Sequence, residues 1–504
     1  MKNKKGGKNV NISEAAGLMG AGVEHVSAEL FDNEITDFSV DSRSVGAGEL
    51  FFAIAPEDYA RAGFNGVFVD SHQFVPEAFA KGAVAAVAVS DRIQDEKLRP
   101  FFDKLLLVND GIAALQLLAR RVYESWNQPV VGITGSAGKT TAKELTAHQL
   151  TSSGRRVLKS ERNYNNGLGL PLSVLKMVSS GHAPDHFDVA VLEMGMSSPT
   201  HEIRRLCQIT PPDVGVELMV APVHLEFLGT IENIAAAKAE LIEGLKPSGT
   251  AVLNADDEWV IRMRDKHRGP VVTFGIDSDA DVTATDIDTS RLGLIRFRLK
   301  TPRGDVSAAL PMSGRHNLMN ALAAAAVANC FEISPEDIAD CLRTATPPKM
   351  RGEVLDFAAG FTVVDDSYNS NPRSLISMVR IITEAGRTRR RRIVIAGEML
   401  ELGEDASELH REAGREIALA EMDVVWGVRG LAKDMLSGAV EGGIAATRFF
   451  ESSDEAAKAI VDEVREGDLI LVKGSRGVAT DKVVKALHER FPMVGTDERE
   501  GDID

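Results

Sequence analysis

The chain contains little of what marks secreted, membrane-spanning or disulfide-stabilised proteins. It has three cysteines in 504 residues, and none forms a CxxC pair. This excludes a disulfide framework and a cysteine zinc site. No apolar run reaches the about 18 residues that suggest a membrane helix, and the basic N-terminal segment is not followed by the apolar stretch of a signal peptide. We therefore expect a cytoplasmic protein with no membrane insertion.

Basic charge is also scarce. The formal net charge is −17 at pH 7, with 74 acidic against 57 basic side chains. A general nucleic-acid or anionic-membrane surface requires a basic face, so we expect no nucleic-acid partner. Small anionic substrates are still compatible with this charge, because they need only local positive groups. The hydrophobic content of 44% is typical of soluble globular protein, and the length suggests two to four domains.

Apolar, strand-like runs alternate with helical patterns along most of the chain, with strands predicted at residues 50–54, 84–89, 105–108 and 214–220. This order is typical of an α/β fold with mostly parallel sheets. We divide the chain into residues 1–109, residues 110–345 and residues 346–504. The second region begins with an apolar-periodic helix, predicted over Gly111–Trp126, and the third begins at a double proline. The acidic tail, 495–504, is predicted to be disordered.

The segment VVGITGSAGKTTAKEL, residues 130–145, is typical of a phosphate-binding loop. Gly135 and Gly138 allow the backbone to wrap around phosphates, and the following helix contributes its positive N-terminal end. Lys139 can reach the β- and γ-phosphates, and the Thr140 hydroxyl can ligate Mg²⁺. The strict Walker spacing is missed by one position, so an ordinary glycine-rich turn is the alternative. The predicted phosphate-binding set is Gly135, Ser136, Gly138, Lys139, Thr140 and Thr141.

Three further polar residues follow or accompany apolar strands of the second region. Glu193 ends the run HFDVAVLE, where ligands bind in open α/β sheets, and a carboxylate there is a natural Mg²⁺ ligand. His224 follows another apolar strand, and Lys238 lies in a small-residue helix. From the residues alone, a capping histidine and an exposed helix lysine are the favoured interpretations of these two.

The later motifs place amides, acids and bases at the starts of helices and the ends of strands. Asn317 and Asn320 lie three apart at the start of an alanine-rich helix, where an amide suits the adenine edge, although Asn317 can instead cap the helix. Asp365 and Asp366, in VVDDSYNSNP, suit ribose hydroxyls or a substrate amine. Lys473 and Arg476, in LVKGSRG, suit a carboxylate or phosphate, and a plain surface loop is the alternative.

Taken together, these segments resemble the Mur ligases, the ATP-dependent amide-forming enzymes of peptidoglycan precursor synthesis. DDSYNSNP is close to a DDxYNANP pattern of this family, and GEMLELGE and VKGSRG follow it in the expected order. These motifs indicate the branch that adds D-alanyl-D-alanine to UDP-N-acetylmuramoyl-tripeptide. The DYAHxPD and DNPR motifs of another branch are absent. Folylpolyglutamate synthetases share the phosphate loop but not the C-terminal motifs, and a nucleotide-binding regulator or motor ATPase would need no UDP-sugar domain.

The resemblance implies a three-domain α/β architecture and a reaction. Residues 1–109 would form an N-terminal UDP-muramoyl-peptide-binding domain, residues 110–345 a central P-loop ATPase domain, and residues 346–504 a C-terminal Rossmann-like domain. The reaction would pass through an acyl phosphate and release ADP and phosphate. ATP and two Mg²⁺ ions are the implied cofactors, and the protein would act as a monomer.

The resemblance also implies roles for individual residues. Asn320 would bind adenine, Asp366 ribose, and Arg351 would lie near the γ-phosphate. Lys238 matches a lysine that many family members carry as a carbamate. The implied catalytic set is Lys139, Lys238, His224 and Glu193. The implied metal ligands are Thr140, Glu193, His224 and Lys238. The implied substrate-binding residues are Ser42, Arg43, His72, Asn163, Asn165, Asn166, Tyr368, Asn369, Lys473 and Arg476.

Two segments depart from the family pattern. The stretch APEDYARAGFNGVFVDSHQF is longer than the usual Gly-containing segment with its DGH, and His72 is our equivalent of that histidine. In ELMVAPVH, Met219 stands where the family carries an asparagine. We therefore expect the UDP contacts around residues 55–74 to be altered, and any polar role of that asparagine to be lost or supplied elsewhere.

Overall fold

The computed structural model describes residues 9–161, 163–179, 181–182, 184–196, 200–222, 228–387 and 389–494. The described chain forms two compact units. The first takes in residues up to 222 together with 230–273, and the second takes in residues 228–229 together with those from 274 onward. Among the described residues, no helix is long and apolar enough to cross a membrane. All three cysteines are free.

A small parallel sheet opens the first unit. Nearly all of its side chains are buried, as expected where helices cover both faces. It confirms the strands predicted near residues 50–54, 84–89 and 105–108. Its strands, in spatial order, are β1 (Phe38–Ser39), β2 (Leu50–Phe52), β3 (Ala85–Val89) and β4 (Leu105–Val108). The accompanying helices are α1 (Ile12–Met19), α2 (Pro56–Arg61) and α3 (Val75–Ala80).

A larger parallel sheet follows in the same unit, in the order β9-β8-β5-β7-β6. The strands are β5 (Val130–Thr134), β6 (Val157–Lys159), β7 (Val189–Glu193), β8 (Val214–Glu217) and β9 (Thr250–Asn254). The helices are α4 (Gly111–Trp126), α5 (Lys139–Ser152), α6 (Gly169–Leu175), α7 (Glu202–Ile209), α8 (Ile231–Glu243) and α9 (Glu258–Ile261). Because β5 lies between β7 and β8, the carboxyl ends of these three strands meet, and ligands bind at such ends in α/β sheets.

The predicted strand after residue 213 is shorter than expected. We predicted that it continues to Val220, but β8 ends at Glu217. Beyond that point, polar side chains form hydrogen bonds with the backbone. Asn254 Nδ2 donates to Leu218 O at 2.7 Å, and Val220 N donates to Asp257 Oδ2 at 2.9 Å. Side-chain partners therefore replace the strand ladder and free the chain to turn beside the phosphate loop.

The second unit begins with antiparallel strands. The chain enters it within β10 (Val271–Gly275), and three longer strands then form a meander with a two-residue turn at Leu292 and Gly293. Gly293 has φ +80°, which a residue with a side chain rarely adopts. The strands are β11 (Val282–Arg291), β12 (Leu294–Thr301) and β13 (Gly304–Leu310). Helices α10 (Arg315–Cys330) and α11 (Pro335–Arg343) follow.

A second sheet completes this unit, in the order β14-β15-β19-β16-β17-β18. Only the pair β14–β15 is antiparallel, and an apolar core lies on each face of the sheet. The doubly wound domain predicted here is confirmed. Its strands are β14 (Glu353–Asp356), β15 (Thr362–Asp366), β16 (Arg391–Gly397), β17 (Val424–Val428), β18 (Thr447–Phe450) and β19 (Asp468–Lys473). Its helices are α12 (Pro372–Ala385), α13 (Ala406–Leu419), α14 (Ala432–Glu441), α15 (Ser453–Glu463) and α16 (Asp481–Arg490).

Candidate active site

The predicted phosphate loop has the strand–turn–helix form that the sequence indicates. It leaves β5 at Thr134 and enters α5 at Lys139. Gly138 caps the helix with φ +85°, in the left-handed region that favours glycine. A Cβ added at Gly135 would lie 2.8 Å from Leu218 Cβ, so the loop passes too close to its neighbour for a side chain. The backbone is therefore shaped for close approach to an anion.

Hydrogen bonds fix the loop against the segment that follows β8. Ser136 N donates to Met219 O at 2.8 Å, and its hydroxyl donates to Ala221 O at 3.1 Å. Lys139 Nζ donates to Gly135 O at 2.8 Å. Met219, which departs from the family pattern, thus contributes through its carbonyl oxygen, and that hydrogen bond does not depend on the side chain.

The structure brings the Thr140 hydroxyl and the Glu193 carboxylate together. Glu193 is the last residue of β7 and is buried. Its Oε2 accepts a hydrogen bond from Thr140 Oγ1 at 3.1 Å, and its Oε1 accepts one from Asn165 Nδ2 at 2.9 Å. A hydroxyl and a carboxylate at the start of a phosphate-binding helix are oxygen ligands that suit Mg²⁺.

Lys238 is buried, so its interpretation as an exposed helix lysine is wrong. It lies on α8 and is 2% exposed. Burial, and to a smaller extent the charge of Lys139, lower the pKa of Lys238 to about 7, while Glu217 acts in the opposite direction. Near neutral pH a large share of this amine is therefore uncharged.

Glu217 is a residue of this site that the sequence did not indicate. It ends β8 and is fully buried. Burial raises its pKa to about 8; Lys238 and Lys139 act against this shift, and Asp257 adds to it. Within the described part of the chain, neither of its carboxyl oxygens has a hydrogen-bond partner. The available signal was an ionisable residue inside an otherwise apolar strand.

The neighbouring strand, β5, adds a further buried oxygen. Thr134 of β5 pairs with Glu217 of β8 in the parallel ladder, so both side chains lie on the same face of the sheet. The Thr134 hydroxyl is also without a hydrogen-bond partner among the described residues. Two strand ends next to the phosphate loop therefore carry three buried oxygens with unmet hydrogen-bonding capacity, which is uncommon in native structures.

His224, predicted to be a metal ligand, lies outside the described residues. Within those residues, no group of three or more histidine, cysteine, aspartate or glutamate side chains is placed to hold a metal ion. Such a set is not required for Mg²⁺, which keeps several waters and uses one or two carboxylates together with substrate phosphates. The neighbouring Thr140 and Glu193 therefore fit Mg²⁺ by the chemistry of their donors.

The residues predicted to bind the UDP-muramoyl substrate differ in how far they are engaged. Arg43 is exposed and pairs with Asp41, and the Ser42 hydroxyl donates to Glu77 at 3.2 Å. His72 is buried, and both ring nitrogens are in use: Nδ1 lies 2.6 Å from Asp70 Oδ1, and Nε2 accepts from Val89 N at 2.9 Å. The observed contacts of His72 are therefore structural.

The asparagines of NYNNGLGLP divide in the same way. Asn163 is exposed, and the side chain of Asn165 is held by Glu193. Asn166 Oδ1 accepts from Leu168 N and Gly169 N, at 3.1 and 2.9 Å. Asn166 thus organises the turn before α6. Asn163 presents a side chain to solvent, and Asn165 connects this segment with the predicted metal ligand.

The second unit carries the residues predicted to bind the nucleoside. Asn317 and Asn320 are both buried on the first turns of α10. Asn317 Nδ2 donates to Ser313 O at 2.8 Å, while the helix is capped by Gly314, so the helix-capping alternative for Asn317 is wrong. Asn320 remains the candidate for binding adenine, because its side-chain amide does not cap the helix.

Lys473 lies inside the fold, not in the surface loop that was the alternative interpretation. It ends β19, is 3% exposed, and pairs with the Asp366 carboxylate at the end of β15. Its Nζ also donates to Asn369 O at 2.9 Å. The neighbouring Asp365 accepts hydrogen bonds from Ser367, and burial raises the pKa of Asp365 to about 6.

Two arginines flank this pair. The Arg351 guanidinium lies over the Tyr368 ring, with 4.1 Å between its Cζ and the ring centroid, which is a favourable cation–π distance. Arg476 is exposed and lies 3.5 Å from Asp481. The second unit thus brings together Arg351, Asp366, Tyr368, Asn369 and Lys473, while Arg476 is placed at the surface.

Two domain families match the chain. The Mur ligase middle domain matches residues 133–328, and the Mur ligase, glutamate ligase domain matches residues 350–476. Together they include the phosphate loop, the Glu193 and Lys238 cluster, and the Asp366–Lys473 pair. The chain therefore belongs to the Mur ligase family.

The relatives share both sequence and structure over nearly the whole chain. The UDP-N-acetylmuramoyl-tripeptide–D-alanyl-D-alanine ligase of Bacillus subtilis is 32% identical over 453 residues, covering 90% of this chain and 93% of the relative. The Escherichia coli enzyme of the same name is 31% identical, covering 92% and 96%. The crystal structure of MurF from Acinetobacter baumannii gives a TM-score of 0.83 at 27% identity, covering 96% and 100%. Thermotoga maritima MurF in complex with ADP gives 0.72 at 26% identity, covering 90% and 97%.

Proposed function

We propose that this protein is the ATP-dependent ligase that joins D-alanyl-D-alanine to UDP-N-acetylmuramoyl-tripeptide and releases ADP and phosphate. The observation that carries this proposal is the match, across 90% of the chain, to a relative with that name. The burial and pairing of the predicted residues support it, because they place a phosphate loop beside a hydroxyl–carboxylate pair. The proposed substrates are ATP, the UDP-linked tripeptide and D-alanyl-D-alanine, and the proposed compartment is the cytoplasm.

The phosphate loop is the proposed site of the ATP phosphates. The amides of residues 135–138 and the N-terminus of α5 are suited to an anion, and Lys139 supplies a positive charge beside them. A carboxylate is a poor electrophile, so its phosphorylation by ATP requires two anionic groups to approach each other. Lys139 reduces their repulsion, and one such electrostatic group contributes about 3 kcal/mol in comparable sites.

Thr140, Glu193, His224 and Lys238 are the proposed ligands of Mg²⁺ or of its bound waters, and two ions are proposed. The observed fit is the contact between Thr140 and Glu193, two oxygen donors at the start of α5. Bound Mg²⁺ supplies charge neutralisation and orientation of the phosphate oxygens. Asn165 holds Glu193 from the other side and restricts its orientation.

Lys238 is proposed to carry a carbamate. Carbamylation requires an uncharged amine, and burial provides it here by lowering the pKa of this lysine to about 7. The carbamate replaces a buried uncharged amine with an anion, which suits a site for Mg²⁺. The acyl phosphate formed in the first step is then attacked by the amine of D-alanyl-D-alanine.

The remaining roles are proposed residue by residue. In the second unit, Asn320 binds adenine, Asp366 binds ribose, and Arg351 contacts the γ-phosphate. The dipeptide site uses Tyr368, Asn369, Lys473 and Arg476. In the first unit, Ser42, Arg43, Asn163, Asn165 and Asn166 face the UDP-muramoyl substrate. His72 belongs to the same proposed segment, although its observed hydrogen bonds are internal. The domain boundaries at 109/110 and 345/346, a monomeric state and a disordered tail are also proposals.

Phosphate release tests the proposed function. The protein is incubated with Mg-ATP and UDP-N-acetylmuramoyl-tripeptide, with and without D-alanyl-D-alanine. We expect sustained phosphate release only when both substrates are present, together with one ligated product per phosphate. Equal ATP hydrolysis without either substrate would instead favour a nucleotide-binding regulator or motor ATPase. Turnover with a folate and glutamate would favour a folylpolyglutamate synthetase.

A further inference from the structure

The buried oxygens of Glu217 and Thr134 are the feature of the first unit that the proposed roles do not use. A buried polar group without a partner costs about 1–3 kcal/mol, so it calls for an explanation, and a bound ligand or a modification is one. Glu217 carries two such oxygens and Thr134 carries one. They lie on the same face of neighbouring strands, and α8, which carries Lys238, packs against β5 and β8.

The charged groups around Glu217 identify what is missing. The groups acting on it are Lys238 from α8, Lys139 from the phosphate loop and Asp257. Lys238 is close enough to act electrostatically, yet its ammonium makes no hydrogen bond with the Glu217 carboxyl group. A finished buried ion pair would be hydrogen-bonded, because the attraction offsets the loss of hydration only in close contact. The arrangement instead leaves both Glu217 oxygens available to a further group.

We propose that Glu217 is a positioning residue for a carbamate on Lys238, and that its carboxyl group, assisted by the Thr134 hydroxyl, forms a hydrogen bond with the carbamate oxygens. This inference rests on the carbamate of the proposed function. It adds one residue, Glu217, to that proposal. Glu217 is identified by its position in the fold and not by a catalytic motif.

The chemistry balances with carbon dioxide as the co-reactant. The lone pair of the neutral Lys238 nitrogen forms an N–C bond with carbon dioxide, and one C–O π pair moves onto oxygen. The nitrogen releases one N–H proton to solvent, and Glu217 keeps its own carboxyl proton. The carboxyl O–H of Glu217 then donates to a carbamate oxygen. The added negative charge lies near the positive charge of Lys139.

Three variants separate a positioning role from a structural one. Glu217→Met keeps the volume but removes the donor. Glu217→Gln keeps a donor, because its amide N–H can replace the carboxyl O–H. Glu240→Gln is the matched control. Glu240 is buried like Glu217, but it lies on α8 and contacts His201 and the Arg204 amide.

The readout is the ¹³C NMR signal of the carbamate in protein equilibrated with ¹³C-bicarbonate. The bicarbonate concentration is titrated at a fixed pH between the pKa values of Lys238, about 7, and Glu217, about 8. Lys238→Ala assigns the signal by its loss. We expect Glu217→Met to need about tenfold more bicarbonate for half-formation, the equivalent of about 1.4 kcal/mol. Glu217→Gln and Glu240→Gln should stay within about threefold of the unmodified chain, a difference of under about 1 kcal/mol. The melting temperature of Glu217→Met should not fall, because an unpartnered buried carboxyl group has been removed.

Formation of the carbamate in Glu217→Met at the unmodified bicarbonate midpoint would overturn the proposal. So would the absence of a Lys238-dependent signal in a chain that still releases phosphate only with both substrates, and in that case the proposed function would stand. A Lys238-dependent signal that responds to Glu217→Met in a protein without ligase activity would support the positioning role and refute the function. Thr134→Val provides an independent test of the same site, with a smaller increase expected in the bicarbonate midpoint.

Discussion

Each unit of the molecule contains a buried lysine beside an acidic side chain, and the two pairs are built differently. In the second unit, Lys473 touches Asp366 directly and also donates to Asn369 O. In the first unit, Lys238 and Glu217 act on each other electrostatically, but the Glu217 oxygens have no hydrogen-bond partner among the described residues. The first of these is a completed ion pair that fixes two strand ends. The second pair leaves the Glu217 oxygens able to accept or donate hydrogen bonds to another group.

This difference shows how the same residue types serve two purposes. A contacting pair compensates its own burial and holds β15 against β19. A separated pair leaves an uncharged amine and an unmet carboxyl group next to the phosphate loop, which is where a reactive or modified lysine is useful. The predictions below test the two pairs and their surroundings, beginning with the largest expected effect.

Removing the phosphate-loop lysine should have the largest effect. We expect Lys139→Ala to lower the ligation rate about 100- to 1,000-fold, because no other side chain of the loop supplies this charge. The melting temperature should stay within a few degrees, since the hydrogen bond from Lys139 Nζ to Gly135 O joins neighbouring residues of the same loop. Phosphate release measures the rate. Lys97→Ala, which changes an exposed lysine of the same unit, should leave it unchanged, and near-normal turnover of Lys139→Ala would refute the nucleotide assignment.

Loss of the separated lysine should be the next largest effect. We expect Lys238→Ala to lower the rate about 100-fold, by analogy with groups that orient a metal site. Short carboxylates such as formate or acetate should restore part of the activity, because they can replace the anionic carbamate. Lys139→Ala should show no such rescue. Full activity of Lys238→Ala in bicarbonate-free buffer would make this lysine an ordinary helix residue.

The nucleoside residues should give a moderate effect on affinity. We expect Asn320→Ala to weaken ATP binding about tenfold, as for the loss of one good hydrogen bond. Calorimetric titration with ATP and GTP measures it, and the preference for ATP over GTP should shrink as well. Asn317→Ala is the matched control, since its amide donates to Ser313 O inside the fold. An unchanged ATP preference in Asn320→Ala would exclude it from the adenine site.

The pH dependence of stability should give a smaller effect with a defined sign. The pKa of Glu217 is raised from 4.5 to about 8, so within this range the folded state binds more protons and stability falls as pH rises. The pKa of Lys238 is lowered from 10.5 to about 7, so between these values stability rises with pH.

In carbon dioxide-free buffer, Glu217→Gln should lose the falling limb. Relative to the unmodified chain it should gain about 1 kcal/mol or more between about pH 5 and about pH 8. Urea unfolding across this range measures the difference. Parallel curves for the two proteins would show that Glu217 does not bind its proton more tightly in the folded state.

Local sequence patterns predicted the scaffold well. Helix α4 has the predicted bounds, Gly111–Trp126, because its apolar periodicity is bounded by Asp110, which caps it, and Asn127, which ends it in a left-handed conformation. The phosphate loop was predicted for a similar reason, since its glycines and the following helix are encoded within a few residues. The meander β11–β13 was not predicted, although the alternation in LIRFRLKT and the glycine turn before it were available signals.

The state of the buried lysines could not be predicted locally. Lys238 and Lys473 lie in segments that are equally compatible with exposed positions, and their burial depends on strands distant in sequence. Glu217 was missed because its strand was interpreted as an apolar run to Val220, whereas Asn254 and Asp257 end the strand at the glutamate. Such tertiary contacts decide which polar residues form the site, and only the family resemblance indicated Lys238 beforehand.

The contrast between the two pairs is tested most directly by the free energies of unfolding of Glu217→Met and Lys473→Met, measured with urea in carbon dioxide-free buffer at a pH between about 7 and about 8. We predict opposite signs. Glu217→Met should be more stable than the unmodified chain by about 1 kcal/mol, because it removes an unpartnered buried carboxyl group. Lys473→Met should be less stable by about 2 kcal/mol, because it leaves Asp366 without its partner. Destabilisation of similar size in both variants would mean that Glu217 and Lys238 already form a completed ion pair, and it would contradict the account.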